Sequence, residues 1–146
     1  MNSQPDEMLV IGYGNPLRGD DAIGYRVAQR SAGLGYSAIA TVQLLPEISE
    51  RIASAKLVVF VDCDLRLAPG QVAVSEPAPG QTLHGATSPA ALLELARVLF
   101  GNRPAAFSIG IGPASMELCE SLSAEVERAI PAVLEHLRRL AEHQSS

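Results

Sequence analysis

Short apolar runs alternate along the chain with stretches in which apolar residues return every third or fourth position. The first run, Met8 to Ile11, breaks into Gly12, Gly14, Asn15, Pro16 and Gly19 and then meets two adjacent carboxylates, Asp20 and Asp21. This pattern predicts a strand, a turn, and a helix over Asp20 to Ser31, where Ile23 and Val27 recur at helical spacing and Gly33 and Gly35 stop it. Ser37 to Leu44 has the β-branched content and partial alternation of a second strand, and Pro46 opens a short helix over about Glu47 to Ala55 with Ile48 and Ile52 turned inward. Leu57 to Val61 is continuously apolar, as a central parallel strand is when both faces are covered, and it ends on Asp62-Cys63-Asp64.

Gln71 to Ser75 reads as a short strand, followed by an irregular stretch with Pro77, Pro79 and Gly80 that leads to His84. Ser88-Pro89 starts a helix, with serine as cap and proline at the first position, running through Leu92, Leu93, Leu95, Ala96 and Leu99 to Gly101. A strand over Ala105 to Ile111 and a helix over Leu122 to Glu142 close the pattern; the helix carries Leu122, Val126, Ile130, Val133, Leu137 and Leu140 on one face and a kink at Pro131. Strands alternating with helices predict a three-layer α/β/α sandwich around a mostly parallel twisted sheet of about five strands. The 146 residues make one domain over 1–146, with loose tails at 1–7 and 143–146.

Composition narrows the class. The chain is 47% hydrophobic and 18% charged, which suits a compact fold and argues against disorder. A net charge of −5, with Lys56 the single lysine, provides no basic run for nucleic acid or anionic lipid, and neither partner is expected. No apolar run is long enough to span a bilayer and residues 1–7 lack signal-peptide character, so the expected place is the cytoplasm, as a monomer. Cys63 and Cys119 have no metal-type spacing and read as reduced thiols, with Cys63 packed at a strand end.

The opening glycines imitate a dinucleotide fingerprint, but Leu17 stands where the third glycine is required. A phosphate cradle also needs a neutral or positive helix entrance, and this one carries two negative charges. The loop therefore presents carboxylates. Asp20 suffices as a helix N-cap, while Asp21 either favours the helix dipole or points into a cleft as a ligand. In such sheets ligands bind off the carboxyl ends of the strands. If the first and third strands are neighbours, Asp21 and Asp62 face one crevice that His84 can reach from its loop, and two carboxylates with an imidazole can bind a divalent first-row cation. Each has a plainer account: Asp62 as a loop cap, Asp64 as a turn cap, and His84 as surface decoration, the role read for His136 and His143.

Gly12-x-Gly14-Asn15-x-Leu17-x-x-Asp20-Asp21-x-x-Gly24, followed by Gln43-Leu44-Leu45-Pro46-Glu47 and Val59-Phe60-Val61-Asp62, resembles the maturation endopeptidases of [NiFe]-hydrogenases. Ser88-Pro89-x-x-Leu92-Leu93, Gly110-Ile111-Gly112-Pro113 and the Leu122 helix fall in family order as well. The resemblance implies an α/β/α hydrolase, an endopeptidase that removes the C-terminal extension of the hydrogenase large-subunit precursor after nickel insertion. It also implies that Asp21, Asp62 and His84 form the catalytic and metal-sensing set, with nickel supplied by the substrate and not held tightly by the enzyme. Gly112 departs from the family, which often has an acidic residue there. Two other readings stand beside this one: a nickel- and precursor-binding chaperone that does not cut, and a peptidase of the germination-protease type on the same fold. No G-x-S-x-G nucleophile elbow occurs.

Overall fold

The computed structural model describes residues 6–77 and 87–145. Five strands form one sheet in the order β2-β1-β3-β5-β4. They are β1 (Asp6–Tyr13), β2 (Ser37–Thr41), β3 (Ala55–Cys63), β4 (Val72–Ser75) and β5 (Ala105–Ile111). Only the β4–β5 pair is antiparallel. The helices are α1 (Ile23–Gly33), α2 (Ile48–Ala53), α3 (Pro89–Phe100) and α4 (Ala124–Ser145).

Alternation along the central strands divides the core in two. Met8 and Val10 of β1 and Leu57, Val59 and Val61 of β3 pack with Ile23 and Val27 of α1 and with Val126, Ile130, Val133 and Leu137 of α4. Leu9, Ile11, Val58 and Phe60 face the other way, onto Ile48 and Ile52 of α2 and Leu92, Leu93 and Ala96 of α3. Both faces of β3 are therefore covered, which is why Leu57 to Val61 lacks polar alternation: each is at most 1% exposed. The three-layer sandwich expected from the sequence is the observed architecture.

Element limits shift where tertiary partners decide them. β2 is an edge strand whose one neighbour is β1, so it stops at Thr41 when β1 turns away after Tyr13, and Val42 to Leu44 do not extend it. The turn at Asp20 is a 3-10 segment, Gly19–Ala22, and the α-helix proper starts at Ile23. Ser88 caps α3 by accepting the Ala91 amide at 3.1 Å, and Gly101 ends it with φ at +79°, as its sequence foretold. Leu99, expected on the apolar side of α3, is exposed. α4 runs as one helix through Pro131, which withdraws the amide that Glu127 would otherwise bond.

Connectivity fixes the place of a ligand. The chain leaves β1 through α1 to β2 on one side, then returns through α2 to β3 on the other side of β1, with α1 and α2 on opposite faces. The strand order thus reverses between β1 and β3, and the crevice of this sheet opens at their carboxyl ends.

Candidate functional site

Beyond Tyr13 the chain bends at Gly14, whose φ is +145°; a Cβ there would lie 1.9 Å from the Asp21 carbonyl oxygen. One residue inside β1, a Cβ on Gly12 would stand 1.8 Å from the Gly24 carbonyl oxygen. The glycines of this loop let α1 lie flush against the strand end. They do not open an anion cradle. Asn15 accepts the Leu17 amide on Oδ1 at 2.9 Å, and its own backbone N–H donates to Asp21 Oδ2 at 3.0 Å. Asp21 is thereby held at the mouth of the crevice, partly exposed.

Asp20 does something else. Its expected role as an N-cap is not observed, because Arg18 precedes the 3-10 turn, Ala22 precedes α1, and neither helix start has a side-chain cap. Asp20 is fully buried, and its carboxylate collects amides from the far end of the chain: Ala114 at 2.8 Å and Ser115 at 2.9 Å on Oδ2, and Ser123 at 2.7 Å on Oδ1. Burial opposes its ionisation, but the amides of Ser123, Ser115 and Ala114 together with the Ser123 hydroxyl outweigh it and hold the carboxyl below its ordinary range. Backbone bonds from Gly19 to Cys119, from Asp20 to Ser115 and from Cys119 to Leu17 complete the seam between the two loops. Once one partner of the acidic pair is used to dock the loop ahead of α4, the other remains for the crevice.

Asp62 closes the opposite wall, at the end of β3, whose neighbour is β1. Its Oδ1 accepts the Cys63 amide at 2.7 Å, and the Tyr13 hydroxyl hydrogen-bonds to the same carboxylate. Burial pushes the Asp62 carboxyl up to about 7; the Cys63 amide and Tyr13 hydroxyl restrain the rise, and the negative charges of Asp21 and Asp64 add to it. The Asp21 charge thus reaches Asp62 across the strand ends. Asp64, by contrast, is neutralised: it accepts the Arg66 amide on Oδ1 at 3.0 Å and takes the guanidinium as a fork, Nε on Oδ1 and Nη2 on Oδ2, both at 3.0 Å. The turn-capping role expected for Asp64 is the one it fills.

Cys63 packs on the other side of β3 from Asp62, with Sγ 3.8 Å from Met116 Sδ. Burial, and then the charges of Asp62, Asp21, Asp20 and Asp64, push its thiol up to about 12, so it remains protonated and is no nucleophile. A cavity of about 500 Å³ opens beside Asp62 and Asp64, with Tyr13, Cys63, Ser108 and Gly110 also in its lining and Asp21 outside it. Gly112 admits no side chain, because a Cβ would stand 2.0 Å from the Ala68 carbonyl oxygen; the acidic residue common at this point in the resembling family has no room here.

Of the three residues singled out from sequence, Asp62 ends β3, Asp21 follows the end of the neighbouring β1 with its charge felt at Asp62, and His84 lies outside the described residues. Among the described residues no three of His, Cys, Asp and Glu are grouped to hold a metal ion. His136 and His143 belong to the second half of α4, which runs away from the crevice rim. Sequence reasoning missed Tyr13, which stood as a variable position between two glycines. The available signal was parity: it extends the Leu9, Ile11 alternation onto the face that carries Asp62.

No protein-family model matches the sequence, and no curated protein does either. Solved structures do. The [NiFe] hydrogenase maturation protease HybD from Thermococcus kodakarensis superposes with a TM-score of 0.74 at 23% identity, over 92% of this chain and 99% of its own. The chain has the fold of the [NiFe] hydrogenase maturation proteases. The hydrogenase maturating endopeptidase HybD from E. coli gives 0.74 at 23% identity over 94% of this chain and 93% of its own. The hydrogenase 2 maturation peptidase from Thaumarchaeota archaeon SCGC_AB-539-E09 gives 0.67 at 25% over 92% and 97%. The maturation-protease fold is thus matched over nearly the whole of both chains in each comparison.

Proposed function

We propose that this protein is an endopeptidase that removes the C-terminal extension from the large-subunit precursor of a [NiFe]-hydrogenase after nickel has been inserted. What supports the reading is that Asp62 ends β3 and Asp21 follows its neighbour β1, at the switch point of a sheet whose fold matches proteins named for that activity. In this reading the nickel arrives as part of the substrate, on the precursor's own thiolates, and Asp21, Asp62 and His84 complete its surroundings.

The chemistry asked of the protein is modest. A carboxylate at this rim can take a proton from an attacking water and return it to the leaving amine, while the other orients that water or the scissile segment. Nickel, when present on the substrate, supplies polarisation of the scissile carbonyl. The described residues favour hydrolysis by water over covalent catalysis, since the thiol of Cys63 stays protonated and the sequence has no serine elbow. Among the described residues no helix is long and apolar enough to cross a membrane.

Incubation with nickel-loaded and nickel-free precursor tests the reading. A loss of mass at the precursor's C-terminus in the nickel-loaded form alone is the expected result. Equal cleavage of both forms would contradict nickel sensing, and stable binding without a mass change would favour the chaperone reading. Asp62→Asn and Asp21→Asn are expected to abolish cleavage with the fold retained, because both side chains sit at the crevice and outside the two apolar cores.

A further inference from the structure

Among the described residues the Asp62 carboxylate has one backbone donor, the Cys63 amide on Oδ1. A single bond from the adjacent residue pins one oxygen and leaves the carboxylate plane free to turn about it. The second donor comes from the neighbouring strand. β1 and β3 pair in parallel with Gly12 opposite Val61, so one step further on Tyr13 comes level with Asp62. Strand alternation sends both side chains to the α2/α3 face, where Tyr13 packs against the cluster of Leu9, Ile11, Val58 and Phe60. Both line the same cavity, and the Tyr13 hydroxyl bonds to the Asp62 carboxylate.

We propose that Tyr13 is the positioning residue that fixes the orientation of the Asp62 carboxylate toward the crevice. The inference rests on the functional reading above and adds to it a residue that acts through Asp62. A tyrosine suits this role because its ring is anchored by packing, it has two side-chain torsions, and its one polar atom sits at the tip. Hydrogen-bonding partners of this kind, one step behind the reacting groups, typically alter affinity or activity by about 10- to 100-fold when removed. Tyr13→Phe keeps the ring and its packing and deletes the donor alone, for which roughly a tenfold loss is expected.

Two measurements on the full chain test it. In solution NMR, three-bond couplings of the Asp62 side chain should report one rotamer in the unaltered protein and averaged rotamers in Tyr13→Phe. With nickel-loaded precursor, Tyr13→Phe should lower kcat about tenfold at unchanged KM and nearly unchanged melting temperature, a split that loss of packing would not produce. A single Asp62 rotamer retained in Tyr13→Phe would overturn the proposal, whether or not any precursor is cut, and so would a kcat equal to that of the unaltered protein. Asp62→Asn run in parallel separates the two claims: if that variant still cleaves at the normal rate, the functional reading fails on its own account, and the rotamer measurement still decides the role of Tyr13.

Discussion

Asp20→Asn isolates what the buried member of the acidic pair contributes, because the substitution keeps the shape of the side chain and changes one oxygen to NH2. Three backbone amides converge on the carboxylate, two on Oδ2 and one on Oδ1. An asparagine has a single oxygen. If it takes the Oδ2 position, the Ala114 and Ser115 bonds survive as neutral bonds, and the Ser123 amide faces another donor. Leaving that amide unsatisfied costs about 1–3 kcal/mol, and converting the two charge-assisted bonds to neutral ones loses roughly 1 kcal/mol each. The sum is about 3–5 kcal/mol, a large share of the roughly 5–15 kcal/mol by which domains of this size are stable. At about 3 °C per kcal/mol for a chain of this length, the melting temperature should fall by roughly 10–15 °C.

The pH dependence supplies a second check. The folded-state carboxyl of Asp20 lies below its unfolded value, so its contribution is fully present above the unfolded value of 3.8 and is lost as pH falls through the folded one. The stability gap between the unaltered protein and Asp20→Asn, read by urea unfolding, should therefore be flat from weakly acidic to neutral pH. It should narrow only below about pH 4. A gap under about 1 kcal/mol at neutral pH, or one that widens on acidification, would refute the account of Asp20 as the acceptor that docks the loop ahead of α4.

Further predictions follow from the same geometry. Gly12→Ala forces a methyl group to within 1.8 Å of the Gly24 carbonyl oxygen, so α1 must move off β1; a loss of about 3 kcal/mol or more in urea unfolding is expected, and a neutral effect would show that the contact is not tight. Ser88→Ala removes the acceptor for the Ala91 amide and should cost about 1 kcal/mol, read as a shift of the unfolding midpoint without a change of slope. Arg66→Ala breaks the fork on Asp64 but removes a side chain that is 89% exposed, so the unfolding midpoint should stay nearly unchanged in the same assay, and a large shift would show that the pair is structural.

The elements whose partners lie close in sequence were legible from it. Ser88-Pro89 and Gly101 mark both ends of α3 because a cap bonds within its own first turn and a left-handed glycine closes its own last turn. The apolar run of β3 was equally plain, since only a strand covered on both faces tolerates five such residues in succession. Asp20 was misread for the opposite reason. Its acceptor role depends on amides 94 to 103 residues away, and a local rule for the residue before a helix cannot see them. β2 was overextended on similar grounds, because its length is set by where β1 turns and not by its own propensity. The rule about strand ends set Asp21 and Asp62 past the carboxyl ends of two strands, β1 and β3, that are neighbours in the sheet. Tyr13 required the register itself.

The electrostatics of the two acids bear on why nickel sensing, as proposed, would be conditional. A resident cation at Asp62 must compete with a proton held up to about pH 7, and it must do so in a buried setting where few other charged groups remain to share the work, Asp64 being already committed to Arg66. On the proposed reading, affinity for a free ion would be correspondingly weak. A cation delivered with thiolates already in place brings the binding energy of its peptide with it, so the cost of displacing the Asp62 proton falls on an association that has other sources of stability. On that reading, the same burial that raises Asp62 would discriminate between an ion alone and an ion in its precursor. Releasing Asp64 from Arg66 should weaken that discrimination, since an unpaired carboxylate beside Asp62 would offer a free cation a second acidic ligand without any help from the peptide.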